Sequence, residues 1–168
     1  GPLSRFEDGY TKKTKFKYKY LAIISGPEPQ RSLFEKEITN AFKKIKDSCT
    51  IITGKIENHN YKIKNIDVYQ HLETSEFNEI VLQSELVICR SGYSSIMDLY
   101  FLQKKVMFVP TPGQTEQEYL AELHKKEHNI NFRRQGEINL ETTKFKSFYM
   151  GYKNWEELRE NAFKNLDL

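Results

Sequence analysis

The sequence has few cysteines and no long apolar run. Cys49 and Cys89 stand far apart in 168 residues, with no Cys-x-x-Cys pair. Neither a disulfide framework nor a zinc-binding cysteine set is therefore indicated, and we expect a reducing, cytoplasmic setting. The longest apolar runs, such as residues 106–109, are far too short to cross a bilayer. The chain has no signal peptide and opens on Gly1, so we expect a cleavage scar or a piece of a longer protein.

The composition also lacks a strong charge of one sign. A net charge of +3 is too small to suggest nucleic acid, and 38% hydrophobic residues suit one globular domain. The lysines are nevertheless uneven, because a short segment alternates them with aromatic residues. An anionic membrane surface is one partner for such a segment, but a solvated linker entering an edge strand is the more ordinary interpretation. The segment comprises Lys12, Lys13, Lys15, Lys17 and Lys19, with Phe16, Tyr18 and Tyr20.

Short apolar runs alternate with segments of helical periodicity along the chain. This alternation predicts an α/β domain, with a Rossmann-like parallel sheet and helices on both faces. A polar, Asn-rich loop is expected after Gly54. We expect residues 1–18 to be a linker or interdomain connection, 19–150 the nucleotide-binding domain, and 151–168 a C-terminal helix. Strands are predicted at 19–25, 49–53, 66–69, 86–89, 106–109 and 130–132, and helices near 29–45, 75–83, 93–102, 115–126 and 155–166.

Ligands of such a sheet bind in the loops beyond the carboxyl ends of the strands. The most informative loop leads from Arg90 into a helix. Small residues there allow backbone N–H groups to approach a phosphate at the helix N-terminus, Ser94 and Ser95 add hydroxyl groups, and Asp98 offers a carboxylate to ribose hydroxyls. The same residues also suit an ordinary cap, with the two serines capping the helix and Asp98 favouring its dipole. The residues alone leave both interpretations open.

A longer pattern surrounds this loop. Residues 84–98, the strand that ends at Pro110, the Gln-rich turn that follows and the triplet Thr53-Gly54-Lys55 resemble family 28 glycosyltransferases. The resemblance extends from about Tyr20 to Leu123. It implies the GT-B fold, in which two Rossmann-like domains face each other across a cleft, and this chain resembles the C-terminal, donor-binding domain.

The resemblance also implies roles for particular residues. The acid at Asp98 would bind the ribose, residues 92–95 would face the diphosphate, and Gln117 would reach the donor sugar. The residues around His71 and Leu72 would hold the uracil. The whole set expected to bind the donor is Ser25, Gly26, Arg31, Thr53, His71, Leu72, Arg90, Ser91, Gly92, Tyr93, Ser94, Ser95, Asp98, Gln114, Gln117 and Glu118.

The sequence departs from the family pattern in several places, one of which is Ala121-Glu122 where the family usually has Asn-Ala. The first loop of the family is usually glycine-rich, whereas residues 25–30 contain one glycine and two prolines. Arg31 offers a guanidinium that would compensate for missing backbone donors. Glu118 stands where a second glutamine is usual, so the resemblance leaves the sugar open, whereas the nucleotide is still expected to be UDP.

The expected reaction is transfer of a hexose or N-acetylhexosamine from a UDP-sugar to an acceptor hydroxyl. No cofactor or metal is expected, and the catalytic base should lie on an N-terminal domain or a partner subunit, leaving this chain inactive alone. Two alternatives remain: a stand-alone subunit that docks a membrane-anchored, acceptor-binding partner, and a non-catalytic nucleotide-binding scaffold. We expect the chain in the cytoplasm, with the inner face of the membrane as a further possibility.

The sequence also contains one zinc-like spacing. His124 and His128 match an H-x-x-E-H helix, and two histidines four residues apart share a helix face. No later segment supplies a third ligand, and histidines at a helix end also suit the dipole. We therefore predict no metal site here.

Overall fold

The computed structural model describes residues 15–55, 59–102, 104–128, 130–143 and 145. Within these ranges the chain forms one sheet of seven strands and four helices. The strands are β1 (Tyr18–Ile23), β2 (Cys49–Ile52), β3 (Tyr61–Ile63), β4 (Ile66–Tyr69), β5 (Ser84–Cys89), β6 (Lys105–Phe108) and β7 (Asn131–Phe132). The helices are α1 (Gln30–Lys43), α2 (Thr74–Leu82), α3 (Tyr93–Phe101) and α4 (Thr115–His128).

The strand order across the sheet is β3-β4-β2-β1-β5-β6-β7. All neighbours are parallel except β3 and β4, which are antiparallel. The chain first builds outward from β1 through β2 to β4, then returns to the other side of β1 with β5. The direction of winding therefore reverses between β1 and β5, and a crevice opens beyond their carboxyl ends.

The central strands are apolar on both faces because helices cover both. Leu21 and Val87 lie side by side in one face of the sheet, and Ala22 and Ile88 in the other. This packing explains why β1 and β5 read as continuous apolar runs.

The helices divide between the two faces. α1 covers one face with Phe34, Ile38 and Phe42, all completely buried. On the other face, α2, α3 and α4 contribute to a second cluster, which includes Leu99 and Ala121. The predicted Rossmann-like sheet with helices on both faces is confirmed.

The structure corrects the expected loop after Gly54, because β3 lies within it. Lys64 and Asn65 connect β3 to β4, and Lys64 takes a positive φ of 54°. That conformation closes a tight hairpin, so three residues of β3 pair with β4 as an antiparallel edge strand. Such a short, polar strand has too few residues for its alternation to stand out in the sequence.

Two boundaries also bear on the expected domains. β1 begins at Tyr18, which is the last residue of the expected linker. The predicted helix at 155–166 lies outside the described residues. Among those that are described, no helix has the length and apolar character to span a membrane.

Candidate functional site

Five loops meet at the carboxyl edge of the sheet, and they carry every residue predicted to bind the donor. Ser25, Gly26 and Arg31 follow β1, whereas Thr53 follows β2. His71 and Leu72 follow β4. The loop after β5 and the first turns of α3 supply Arg90, Ser91, Gly92, Tyr93, Ser94, Ser95 and Asp98, and the loop after β6 and the start of α4 supply Gln114, Gln117 and Glu118.

The N-terminus of α3 lies beside the crevice between β1 and β5. Gly92 is the N-cap residue, with an extended backbone and no side chain to cap the helix. Its carbonyl accepts from the Ile96 N–H at 3.0 Å, which closes the first turn. Ser94 and Ser95 lie inside that turn, so the interpretation of the serine pair as the cap is wrong. The first N–H groups of the helix have no intrahelical acceptor and carry its positive dipole end.

Asp98 lies in the second turn of α3 and is 7% exposed. Tyr93, at the start of the same helix, is 59% exposed. The helix therefore exposes Tyr93 in its first turn and largely buries Asp98 in its second. The ribose contact of Asp98 remains a prediction.

The buried side chain of Arg90 forms hydrogen bonds with three segments of the chain. Its Nε donates to the Ser25 carbonyl at 3.4 Å, and Nη1 donates to the carbonyls of residues 109 and 110 at 3.0 and 3.1 Å. Nη2 donates to the Gln30 carbonyl at 3.0 Å and to Gln135 Oε1 at 2.7 Å. The loop after β1, the loop after β6 and the segment after β7 are thus held by a single side chain.

The surroundings of Arg90 decide what it does. The residue is 2% exposed, and its guanidinium lies 4.1 Å from the centre of the Phe34 ring. Burial lowers the pKa of Arg90 to about 10, so the group is still charged at neutral pH. All five of its N–H groups are used by protein oxygens, which leaves none for a ligand in this arrangement. Arg90 positions the loops around the crevice.

Gly26 and Thr111 lie close together at this edge of the sheet. Gly26 has a φ of +109°, and a Cβ added there would lie 3.4 Å from Thr111 Oγ1 and 3.8 Å from Arg90 Nε. Thr111 is 1% exposed, and its hydroxyl has no hydrogen-bond partner among the described residues. An unpaired buried hydroxyl is costly, so its position beside the crevice suits contact with a bound polar group.

Arg31 joins the loops after β1 and β2. Its Nη2 donates to the Thr53 carbonyl at 2.7 Å. Its Nε is buried and, within the described part of the chain, has no partner. Unlike Arg90, Arg31 keeps donors that an anion at this edge would satisfy.

The start of α4 is organised around Gln117. Gln117 Oε1 accepts from the Thr111 N–H at 2.9 Å, and its Nε2 donates to Gln114 Oε1. Its carbonyl accepts from the Ser91 hydroxyl at 2.7 Å, which links α4 to the loop after β5. The exposed Glu118 accepts from the Gly113 N–H at 3.1 Å. The glutamine and glutamate are therefore held in fixed positions near the crevice.

His71 and Leu72 lie on the same edge but farther from α3. Their strand, β4, is three strands from β5, roughly 14 Å at the usual spacing. His71 is exposed, with Nε2 4.0 Å from Glu73 Oε1, whereas Leu72 is half-buried against the core. A ligand contacting both ends of this edge must be extended.

Sequence reasoning missed three residues of this edge. Thr111 lies beside the crevice. Gln135 bonds both Arg90 and Gln30 Oε1, the latter at 2.8 Å, and Glu37 receives the N–H groups of Gly136 and Ile138 at 2.9 and 3.0 Å. Gln135 and Glu37 lie 98 positions apart, and no local pattern indicates that they share a site.

The zinc-like spacing on α4 does not develop into a metal centre in the described residues. His124 is 7% exposed, and its ring centre lies 6.2 Å from that of Phe108. Within the same ranges, no three histidine, cysteine, aspartate or glutamate side chains come together as a metal site. His124 is part of the packing between α4 and the sheet.

Comparisons with known proteins agree with this architecture. Residues 22–147 match the family described as glycosyltransferase family 28 C-terminal domain. A UDP-N-acetylglucosamine--N-acetylmuramyl-(pentapeptide) pyrophosphoryl-undecaprenol N-acetylglucosamine transferase from Sulfurihydrogenibium sp. (strain YO3AOP1) is 27% identical over 94 residues, which are 56% of this chain and 26% of that protein.

A solved structure supports the fold. The crystal structure of MurG from Acinetobacter baumannii superposes with a TM-score of 0.58 at 16% identity, covering 99% of this chain and 45% of that one. The chain thus spans less than half the length of either relative. Because the family match covers most of the chain, the conclusion is direct: this chain is a MurG-like C-terminal domain of glycosyltransferase family 28.

Proposed function

We propose that this chain is the donor-binding half of a glycosyltransferase that moves a hexose or N-acetylhexosamine from a UDP-sugar to an acceptor hydroxyl. The observation that carries the proposal is the position of the α3 N-terminus. The N-cap residue of α3 is Gly92, and no side chain caps the helix. This terminus lies at the point where the winding of the sheet reverses. Helix N-termini at such points favour phosphate groups.

The site suits the leaving group of this reaction. As the bond to the sugar breaks, negative charge grows on the diphosphate. The dipole of α3 and the hydroxyls of Ser94 and Ser95 would stabilise that charge without rearranging. Arg31 Nε and the Thr111 hydroxyl, both buried without a partner among the described residues, are further donors at the same edge. Arg90 would act indirectly, by holding the loops in place.

The remaining contacts concern the nucleoside and the sugar. We propose that Asp98 receives the ribose hydroxyls and that the uracil lies toward His71 and Leu72, because a nucleoside diphosphate is long enough to span this edge. Gln117 and Glu118 would contact the sugar. A carboxylate at position 118 only accepts hydrogen bonds at neutral pH, so it favours a sugar that offers a hydroxyl donor there.

The acceptor and the catalytic base are proposed to belong to a second unit, either an N-terminal domain or a partner subunit. The chain spans less than half of the length of its relatives. Alone, the chain should bind donor but transfer little sugar. Transfer at a rate comparable to a two-domain enzyme would contradict this division of labour.

The first test is calorimetric titration of the chain with UDP, with ADP as the competing nucleotide. We expect micromolar to millimolar UDP binding and no ADP binding. Replacement Asp98→Asn should weaken UDP binding about 10- to 100-fold, because hydrogen bonds to a charged acceptor are worth about 1.5–3 kcal/mol. Glu116→Gln is the matched control, since Glu116 is an exposed carboxylate in the first turn of α4.

The outcomes separate the candidate functions. Selective UDP binding that Asp98→Asn weakens and Glu116→Gln does not would support the donor-binding role. No UDP binding by a folded chain would reject binding by this domain alone. Repeating the titration with the acceptor-bearing half added would then distinguish a site completed by that half from a scaffold with no nucleotide site.

A further inference from the structure

The opposite edge of the sheet, where the parallel strands begin, carries an exposed cluster of lysines. Three chain segments contribute to it: the entry to β1, the connection from α1 to β2, and the β3–β4 hairpin. We call this surface the lysine edge. Its members are Lys15, Lys17, Lys43, Lys44, Lys46 and Lys64, all exposed.

Side-chain hydrogen bonds join the three segments into one surface. The Ser48 hydroxyl donates to the Lys17 carbonyl at 2.9 Å, which ties the entry of β1 to the segment before β2. Asn65 Nδ2 donates to the carbonyls of Ile45 and Asp47 at 3.2 and 2.6 Å, which ties the hairpin to the same segment. The backbone positions of the lysines are therefore fixed relative to one another, and their charges share one face.

Within the described residues no lysine of this face forms an ion pair, although the charge of Lys17 acts on the nearby Asp67 and contributes to its lowered pKa. The ion pairs near this face join Lys19 and Lys105 to Glu85 and Lys62 to Asp67. Asp47 is the exposed acid between the six lysines. These seven residues carry a formal charge of +5, above the +3 of the whole chain, so all other residues together are net negative.

Several exposed acids lie at the other end of the strands. Exposed carboxylates at the carboxyl edge include Glu28, Glu73, Glu76, Glu116 and Glu118. The lysine edge and these carboxylates therefore lie at opposite ends of the strands.

Helix chemistry explains only part of this arrangement. Lys43 and Lys44 end α1, where cations favour the helix dipole. Lys15 and Lys17 belong to another segment, and Lys64 is at the tip of a hairpin with positive φ, where Gly or Asn is the usual choice. A dipole effect does not require lysines at those three positions.

We propose that the lysine edge is a docking surface for an anionic lipid bilayer. Clusters of four to eight basic residues on one face are attracted to anionic headgroups, at roughly five-fold in partition coefficient per lysine. Phe16, half-exposed between Lys15 and Lys17, adds an aromatic side chain for the interface. All six cations are lysines, which act as point charges and lack the planar fork by which arginine recognises nucleic acid.

This orientation keeps the donor site accessible. The lysine edge and the crevice lie at opposite ends of the strands, roughly 13–20 Å apart for strands of four to six residues. Donor can therefore enter from solution while the basic end contacts lipid. The inference depends on the charge distribution alone and stands whether or not the chain binds UDP.

The test is co-sedimentation of the chain with phosphatidylcholine vesicles, with and without 30% phosphatidylglycerol, in low salt. We expect binding only to the anionic vesicles, weakened by added salt. Lys44→Glu/Lys46→Glu should lower the partition coefficient by at least 25-fold. Lys36→Glu/Arg134→Glu is the matched control, because it changes the same charge at exposed positions away from the edge, and it should lower binding at most a few-fold.

Several results would overturn the proposal. One is that the chain fails to bind anionic vesicles, and another is that both double variants lose lipid binding equally. A third is that single-stranded RNA binds more tightly than the vesicles, with the same dependence on Lys44 and Lys46. Circular dichroism checks that each variant is folded, and UDP titration checks the other edge separately. A loss of lipid binding with unchanged UDP titration distinguishes this surface from the donor site.

Discussion

At the scale of single residues, Arg90 illustrates how one buried cation organises several loops. Its motif is visible in the sequence, yet its five acceptors come from residues 25, 30, 109, 110 and 135. A lysine at position 90 would keep the positive charge. Its ammonium has only three N–H donors, and these are not arranged in a plane like the five of a guanidinium.

We therefore expect Arg90→Lys to lower the free energy of unfolding by about 3 kcal/mol, because several buried carbonyls lose their donor. Urea denaturation measures this change. Arg134→Lys, an exposed arginine on the neighbouring segment, should change stability by less than about 0.5 kcal/mol. Equal losses of stability at the two positions would contradict the role of Arg90 in holding these loops together.

Two glycines of the site offer a matched comparison. Gly26 has positive φ and closely approaches Thr111, whereas Gly92 has a φ of −73° and nothing within 4 Å of an added Cβ. Gly26→Ala should therefore cost about 1–3 kcal/mol of stability, and Gly92→Ala at most about 1 kcal/mol. Thermal and urea denaturation of both variants would measure the difference, and a more damaging Gly92→Ala would refute the argument.

At the scale of elements, the segment after β7 is held to α1 through Glu37. The two carboxylate oxygens accept from the N–H groups of Ile138 and Gly136. The same segment carries Gln135 to Arg90 and places Leu140, 5% exposed, against the core on the α1 face. Glu37 thus supports the crevice from outside it.

Replacement Glu37→Gln retains the size of the side chain but only one acceptor oxygen. We expect the free energy of unfolding to fall by about 1–2 kcal/mol and amide hydrogen exchange at Gly136 and Ile138 to become faster. The reason is that one of these N–H groups loses its acceptor, while the other exchanges a charged acceptor for a neutral one. Glu122→Gln is the control on α4, where the exposed carboxylate forms a surface ion pair with Lys125. Unchanged exchange at both amides would rule out this anchoring role.

At the scale of the whole molecule, buried titrating groups predict how stability depends on pH. Burial raises the pKa of the Cys49 and Cys89 thiols to about 12, from 9.0. Burial lowers the pKa of Lys104 to about 8, from 10.5, while its ammonium donates to the Leu82 and Ser84 carbonyls. Between pH 9 and 10 the unfolded thiols ionise but the folded ones do not, which lowers stability. Lys104 acts in the opposite direction, because its folded form binds fewer protons.

Each group contributes up to about 1.4 kcal/mol per pH unit. The two thiols outweigh the lysine, so the free energy of unfolding should fall by about 1 kcal/mol between pH 9 and 10. In Cys49→Ala/Cys89→Ala the thiols no longer contribute, and Lys104 is opposed by Tyr18 and Tyr20, whose pKa values burial raises. The change in stability over this interval should therefore be more positive than in the unsubstituted chain by about 2 kcal/mol. Urea denaturation at both pH values measures the two slopes. Parallel slopes for the two proteins would contradict the assignment.

Much of the architecture was predictable because it rests on local patterns. Apolar runs such as 86–89 and periodic segments such as 30–45 indicated their strands and helices, and alternation indicated a parallel sheet. β3 was not predictable, because three residues at an exposed edge carry no distinct alternation. The serine pair after Gly92 suggested a cap, whereas the helix starts one residue earlier and leaves both serines in its first turn.

The sequence by itself determined the class of fold, the family resemblance and the loops that carry the site, because each of these depends on residues close together along the chain. Only the tertiary structure decided which side chains meet. The bond from Arg90 to Gln135 spans 45 positions, and that from Gln135 to Gln30 spans 105. It also decided that lysines from three segments share one edge. The physical reason is that sheet order, which brings β1 beside β5, is set by burial of both faces of the sheet together and not by any single segment.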